Sequence, residues 1–191
     1  MSNERHWCNA KRFGDDGERR FIQEVLEPND IIIHKWMEIV IKNGGSARDE
    51  SNRAIPDFEL INENKSTVLV DVKSKAEPVY YGNAHEYRHG IDGVKYRDYL
   101  SISKEQNVPI YIAVVEDIRK DFEGNIYAQR DKSTIDIGDI LFVNLKTPYI
   151  GQEYVNEKQN AHRKKPYEGM VFWKRNEFMN VNEFIEQIRR V

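Results

Sequence analysis

The chain has 191 residues, of which 39% are hydrophobic and 32% are charged, and its formal net charge is −3. The length suits a single domain, 1–191, with a proper core, and the net charge excludes the strongly basic class of nucleic-acid-binding proteins. The single cysteine, Cys8, excludes an internal disulfide framework, and no apolar run is long enough to span a membrane. We therefore expect a soluble, cytoplasmic protein without a membrane partner.

The first predicted element is an amphipathic helix. Asp15 or Asp16 can cap its start, and Pro28 ends it. The residues at helical spacing on its apolar stripe are Glu18, Phe21, Ile22 and Val25. Glu18 therefore lies on the stripe rather than on the polar face. The simplest interpretation is a glutamate at the solvent edge of the stripe, near the helix N-terminus, where the helix dipole favours a negative charge.

The pattern of the next segment, 31–42, is ambiguous. Apolar residues at alternating positions favour a strand, although several of them also satisfy the spacing of a helix. Asn43-Gly44-Gly45 ends the segment, and residues 46–53 form a polar loop. This loop either contacts a phosphate backbone through Arg48 or Arg53, or is simply a solvated connection.

Two short strands around a polar turn are predicted next. Residues 55–61 are rich in apolar side chains, 62–65 have the composition of a turn, and 67–72 are mostly β-branched. Antiparallel pairing around the turn would place Asp57 opposite Asp71. Because side chains alternate between the two faces of a strand, Asp71 and Lys73 project from the same face. The resulting patch of two carboxylates and an ammonium is costly to build unless a cation or a reaction needs it.

Pro56-Asp57 followed by Asp71-Val72-Lys73 resembles the signature of the PD-(D/E)xK nuclease superfamily, which includes many restriction endonucleases and Holliday-junction resolvases. The resemblance implies an α/β fold with a restriction-endonuclease-like α-β-β-β-α-β core, whose mixed central sheet is flanked by helices. That core would cover about residues 15–115, and about 116–191 would be a C-terminal strand and helix extension of the sheet. Because the core needs a strand between its first helix and the Pro-Asp strand, the resemblance also favours a strand for 31–42.

After Lys73 we expect a loop that is rich in aromatic and basic residues and includes Arg88. Asp92 then caps a helix that ends near 106, and residues 109–115 are the clearest buried strand of the chain. Within the helix, Lys95 and Tyr99 are similar to the QxxxY element of some superfamily nucleases, with lysine in place of glutamine. The resemblance implies a substrate contact for both, whereas the alternative is an exposed lysine and a core tyrosine.

Beyond residue 116 the resemblance becomes weak. Strands are expected over 140–145 and 170–173, a hairpin is possible within 117–134, and Asn180 caps a last amphipathic helix. The most basic segment, 158–165, is either a solvated loop or a site of phosphate contacts through Lys164 and Lys165.

The resemblance also implies a metal centre. Asp57, Asp71 and the carbonyl of Val72 offer hard oxygen ligands that suit Mg²⁺, for which Mn²⁺ should substitute. Glu18 would complete this ligand set or favour a second metal ion, because a glutamate of the first helix reaches the metal site in the superfamily. Lys73 would orient or deprotonate the attacking water and stabilise the negative transition state. The alternative for Asp71 and Lys73 is an ordinary ion pair on the surface of a sheet.

The sequence therefore predicts a metal-dependent DNA endonuclease that leaves 5′-phosphate and 3′-hydroxyl ends. A homodimer is a possible assembly. One alternative is a structure-selective nuclease that cuts Holliday junctions or flaps. A non-catalytic nucleic-acid-binding protein and an RNA nuclease are the others. The predicted catalytic residues are Glu18, Asp57, Asp71 and Lys73. The predicted substrate contacts are Lys75, Arg88, Lys95, Tyr99, Lys164 and Lys165.

Overall fold

The computed structural model describes residues 13–36, 48–62, 64–75, 78–81, 85–116, 138–153 and 169–191. The possible hairpin within 117–134, the C-terminal part of the segment 31–42, and Lys164 and Lys165 therefore lie outside the described residues. Within the described ranges, no helix is long and apolar enough to cross a membrane. That the whole chain forms one domain stays a prediction.

The described elements follow the order α-β-β-β-α-β, with two additional strands before the second helix and three strands and a third helix after β6. They are α1 (α-helical over 13–21, π-helical over Ile22–Leu26), β1 (Ile32–Trp36), β2 (Phe58–Ile61), β3 (Thr67–Lys75), β4 (Val79–Tyr81), β5 (Glu86–Asp92), α2 (Gly93–Gln106), β6 (Ile110–Glu116), β7 (Ile140–Asn144), β8 (Ile150–Glu153), β9 (Met170–Lys174) and α3 (Val181–Arg189). Asp15 and Asp16 lie inside α1, so the prediction that one of them caps this helix is wrong.

The first sheet has five strands in the order β1-β2-β3-β6-β7. Strands β3 and β6 are parallel, and the other neighbours are antiparallel. The parallel pair follows from chain connectivity, because α2 carries the chain back across the sheet between β3 and β6. The predicted α/β class, with a mixed central sheet flanked by helices, is confirmed.

A second sheet, in the order β4-β5-β9-β8, is entirely antiparallel. It corrects two predictions. The stretch after Lys73, which we expected to be a loop, contains the strands β4 and β5. Moreover, of the described C-terminal strands, β7 alone extends the first sheet, whereas β9 pairs with the inserted strand β5 and β8 pairs with β9 in the second.

The two faces of the first sheet carry separate hydrophobic clusters. On one face, α1 and α3 pack their apolar stripes, including Phe21 and Phe184, against alternate residues of the sheet. On the other face, α2 and the second sheet pack around Tyr99 and Trp173. Every residue of β6 is buried, as expected for a central strand covered on both sides. The period-two alternation of β3 therefore sends Val70 and Val72 to the α1 face, and Asp71 to the α2 face.

The loop before β2 is fastened to α2. The Arg53 guanidinium donates to Asp49 (2.8 Å) and to Glu105 (2.6 Å), and the backbone N–H of Ala54 donates to the Asp98 carboxylate (2.8 Å). These bonds hold the backbone three residues before Asp57. Arg53 is thus engaged within the protein, and the alternative in which it contacts a phosphate backbone is not supported.

Candidate active site

The hairpin of β2 and β3 brings the two aspartates together. Phe58 pairs with Val70, so Asp57 and Asp71 are the next positions outward on the two chains. The backbone N–H of Val72 donates to Asp57 Oδ2 at 2.7 Å, which fixes the position of this carboxylate. At the other end of the hairpin, Asn62 stabilises the turn, because its side chain accepts the backbone N–H of Ser66 at 2.8 Å.

The ammonium of Lys73 lies between the two carboxylates. It forms a close ion pair with Asp71 Oδ2, lies 4.0 Å from Asp57 Oδ2, and donates to the Val72 carbonyl oxygen at 3.2 Å. About a fifth of the Lys73 side chain and a quarter of that of Asp57 are exposed, whereas Asp71 is buried. The structure therefore brings together the three side chains of the motif, at a position that solvent can reach.

Tyr99 of α2 fixes the orientation of Asp71. Its hydroxyl donates to Asp71 Oδ1 at 2.7 Å, and both side chains are buried. The other oxygen, Oδ2, makes no hydrogen bond of good geometry and faces the Lys73 ammonium. Tyr99 has no exposed surface, so the prediction that it contacts substrate is corrected: it positions a carboxylate.

Asp71 and Lys73 each stabilise the ionised form of the other. Burial alone would raise the pKa of Asp71, but the nearby ammonium groups of Lys73 and Lys95, together with the Tyr99 hydroxyl, hold this pKa below its usual range. Burial would likewise lower the pKa of Lys73, yet the carboxylates of Asp71 and Asp57 outweigh it and raise this pKa. Both groups are therefore ionised at neutral pH.

For Asp57, in contrast, the effects that disfavour the ionised carboxylate outweigh those that stabilise it. Burial, and next the negative charge of Asp71, raise the pKa of Asp57 to about 7, although Lys73 and the Val72 N–H oppose the shift. A carboxyl group with a pKa near neutrality is costly to ionise in this protein. A positive charge placed against Asp57 and Asp71 would remove that cost, which is a property of cation-binding sites.

Glu18 lies near this group, on the part of α1 that passes close to β3. Its negative charge contributes to the raised pKa of Asp57, so the carboxylate is within electrostatic reach of the site. Gly17 permits this approach, because a Cβ atom there would lie 1.9 Å from Ser74 Oγ. The side chain is partly buried. Its role as a metal ligand stays a prediction.

Two further lysines flank the motif. The charge of Lys95 acts on Asp71, Asp57 and Lys73, and its pKa is lowered by burial and by the charge of Lys73. Lys75, on the same strand as Lys73, also has a pKa lowered by burial and by that neighbour. Both side chains are partly buried, and their electrostatic interaction with Asp71 and Lys73 shows that they lie near the motif.

Arg88 does not belong to this group. It is buried in the second sheet, and its guanidinium donates to the Glu86 carboxylate at 2.7 Å. The prediction that Arg88 contacts substrate is therefore corrected, since the residue is buried against its own sheet.

Sequence reasoning missed a second buried charged cluster, which consists of His89, Glu116 and Arg175. Glu116 at the end of β6 receives two hydrogen bonds of 2.8 Å from Arg175 and lies 2.7 Å from His89 Nε2. Burial opposes the charge of Glu116, but these partners lower its pKa to about 2. An acidic residue that directly follows a buried strand was the available signal, although nothing local indicated its partners. The cluster ties the second sheet to the first.

The oxygen atoms of the first group fit a hard divalent cation. Asp71 Oδ2, Asp57 Oδ2 and the Val72 carbonyl oxygen surround one position, and Mg²⁺ commonly takes one or two carboxylates and completes its shell with water. Among the described residues, no group of three or more His, Cys, Asp or Glu side chains is placed to hold a metal ion. A divalent ion at this position would therefore have two carboxylates and a carbonyl as its protein ligands.

No family model and no curated protein matches this chain. Among solved structures, it is similar to the Holliday junction resolvase Hjc from the hyperthermophilic archaeon Archaeoglobus fulgidus. The TM-score is 0.49 and the sequence identity is 11%, with 90% of this chain and 99% of that chain covered. A similarity this distant does not assign an activity.

Proposed function

We propose that this chain is a nuclease that hydrolyses DNA phosphodiester bonds with the help of Mg²⁺, or of Mn²⁺ in its place. The observation that carries the proposal is the convergence of Asp57, Asp71 and Lys73 around the Val72 carbonyl oxygen. A structural ion pair needs one acid and one base. Here a second carboxylate, whose pKa is raised to about 7, is held against the pair at a partly exposed position.

The residues have separate roles in this proposal. Asp57, Asp71 and the Val72 carbonyl would hold the ion, with Glu18 as a further ligand. When bound, the ion supplies charge neutralisation at the phosphate and acidifies a coordinated water. Tyr99 keeps Asp71 Oδ2 turned towards the site by holding Oδ1. A hydrogen bond of this kind fixes the orientation of the carboxylate, on which the affinity for the metal ion depends.

The lysines supply the positive charge that phosphodiester hydrolysis requires. Lys73 lies on the strand of Asp71 and would orient the attacking water and stabilise charge that develops on the phosphoryl oxygens. Lys95 and Lys75, which flank it, would attract the neighbouring phosphates of the nucleic-acid backbone. Water would attack phosphorus in line with the 3′ oxygen and break the P–O3′ bond. The 3′ oxygen would leave and take up a proton, which gives 5′-phosphate and 3′-hydroxyl ends.

A nicking assay tests the proposal directly. Supercoiled plasmid is incubated with the protein in Mg²⁺, in Mn²⁺ and in EDTA, and nicked circles should appear only with a divalent ion. Asp71→Ala and Lys73→Ala should abolish nicking while the proteins still fold and keep most of their DNA binding, although the loss of one partner of the ion pair lowers the unfolding temperature. Lys104→Ala serves as a matched control, because Lys104 is an exposed lysine at the far end of α2. If either active-site variant retains the wild-type rate, the proposal is wrong.

The same purified protein can be used to distinguish the alternative substrates and to measure the oligomeric state. Duplex DNA, a four-way junction, a flap and an RNA of matched length are offered in parallel with Mg²⁺. Cleavage of junction or flap but not duplex would indicate a structure-selective nuclease. Binding without cleavage, unchanged by Lys73→Ala, would indicate a non-catalytic nucleic-acid-binding protein. Sedimentation of the protein with and without DNA measures whether it works as a homodimer.

A further inference from the structure

The Lys73 ammonium occupies the position on which the candidate ligand oxygens converge. Its Nζ is paired with Asp71 Oδ2, donates to the Val72 carbonyl at 3.2 Å and lies 4.0 Å from Asp57 Oδ2. These are the three oxygen atoms proposed above to hold a divalent ion. A metal–oxygen distance for Mg²⁺ is only about 2.0–2.1 Å, so an ion held by the same atoms would overlap this ammonium.

We propose that the Lys73 ammonium is the resident counter-ion of this site and competes with the divalent ion for the same oxygen atoms. The inference rests on the proposed function and adds a second role for Lys73. The residue that assists hydrolysis once it is released is the residue that blocks the ligands beforehand. Ion binding therefore requires the ammonium to leave Asp71 Oδ2.

The surroundings give the ammonium a direction in which to move. Its side chain is about a fifth exposed, so one side of it faces solvent. The positive charges of the partly buried Lys95 and Lys75 act on Lys73 and repel it once the carboxylates no longer compensate its charge. The displaced ammonium thus moves towards the open side, from which a phosphate group would approach.

Competition of this kind has a measurable consequence. The two carboxylates bind the divalent ion less tightly than their oxygen atoms allow, because each binding event breaks an ion pair and a hydrogen bond to a charged donor. Removing the ammonium should therefore tighten ion binding even though it abolishes cleavage. A residue with only a catalytic role, or only a role as an additional ligand, would not give this combination.

The test is calorimetric titration of Mn²⁺ into the folded protein without nucleic acid. Lys73→Met keeps an unbranched apolar side chain and removes the charge, and Lys73→Ala is a second variant with the same expected direction. Both should bind Mn²⁺ at least about tenfold more tightly than wild type, the scale of one hydrogen bond to a charged group. Lys75→Met is the matched control, since it removes one positive charge from the same strand without vacating the oxygen atoms, and it should change the affinity several-fold less.

Equal Mn²⁺ affinity in wild type and both Lys73 variants would overturn the inference and leave the proposed function standing. An equal gain in Lys75→Met would also overturn it, because general electrostatics would then explain the effect. If neither wild type nor any of the variants binds Mn²⁺ at millimolar concentration, the proposed function itself fails.

A measurement on the wild-type protein makes the test independent of whether the variants fold. In spectra of ¹³Cε-labelled lysine, the Lys73 signal should shift as Mg²⁺ saturates the site, and Lys73→Arg identifies that signal by its absence. An unchanged Lys73 signal at saturating Mg²⁺ would overturn the inference.

Discussion

Replacing Asp57 with asparagine should stabilise the metal-free protein while it abolishes cleavage. The pKa of Asp57 is about 7 in the folded protein, against 3.8 for an ordinary aspartate. A difference of about three pKa units corresponds to about 4 kcal/mol at 1.36 kcal/mol per unit. Since about a quarter of the side chain is exposed, solvent screening reduces this figure, and we expect about 1–2 kcal/mol. Asparagine can still accept the Val72 N–H without carrying the charge.

The sign of the pH dependence follows from linkage. A group whose pKa is higher in the folded state stabilises the protein in its protonated form. This stability is fully present below about pH 4 and is lost as the pH rises through about 7. Wild type should therefore lose stability between pH 5 and pH 8 relative to Asp57→Asn. The gap in unfolding temperature at pH 8 should be roughly 2–8 °C for a chain of this size.

The assay is thermal unfolding of wild type and Asp57→Asn at pH 5, 6, 7 and 8 in EDTA. Glu50→Gln removes an exposed carboxylate of the loop before β2 and serves as the control, with no pH-dependent gap expected. Added Mg²⁺ should raise the unfolding temperature of wild type more than that of Asp57→Asn, which lacks one carboxylate ligand. If Asp57→Asn is less stable than wild type at pH 8, or if the gap does not grow with pH, the reasoning about this carboxylate is wrong.

Three further predictions concern the surroundings of the site. Tyr99→Phe removes the hydroxyl that holds Asp71 and should weaken Mn²⁺ binding about tenfold in calorimetry, with kcat reduced and DNA affinity little changed; unaltered Mn²⁺ binding would contradict the positioning role. Gly17→Ala should lower the free energy of unfolding by roughly 1 kcal/mol, because the crowding against Ser74 outweighs the better helix propensity of alanine. In urea unfolding, the double variant with Ser74→Ala should regain the lost free energy of unfolding. Glu116 has a folded pKa of about 2, below its ordinary 4.5, so its stabilising charge is fully present above about pH 4.5 and is lost as the pH falls towards 2. Glu116→Gln should flatten the acid limb of an unfolding-against-pH profile over that window, and an unchanged limb would exclude the residue as its cause.

Much of the site could be predicted from the sequence because its determinants are local. The composition of the turn sets the hairpin of β2 and β3, and period-two alternation then places Asp71 and Lys73 on one face. The spacing around the turn brings Asp57 opposite Asp71. Helix α2 and strand β6 were also predictable, since Asp92 before the helix, Pro109 after it and the continuous apolar run over 110–115 are properties of short segments.

Only the tertiary structure decided which side chains complete the site. Tyr99 lies 28 positions after Asp71, and the bond between them depends on how α2 packs against the sheet. The pairing of β5 with the C-terminal strand β9, and the cluster around Glu116, depend in the same way on partners far away in the chain. Short strands such as β4 are stabilised by their neighbours more than by their own residues, so their local sequence carries little signal. The sequence by itself thus determined the motif, while the packing of distant segments determined its orientation, its burial and the pKa values on which its chemistry depends.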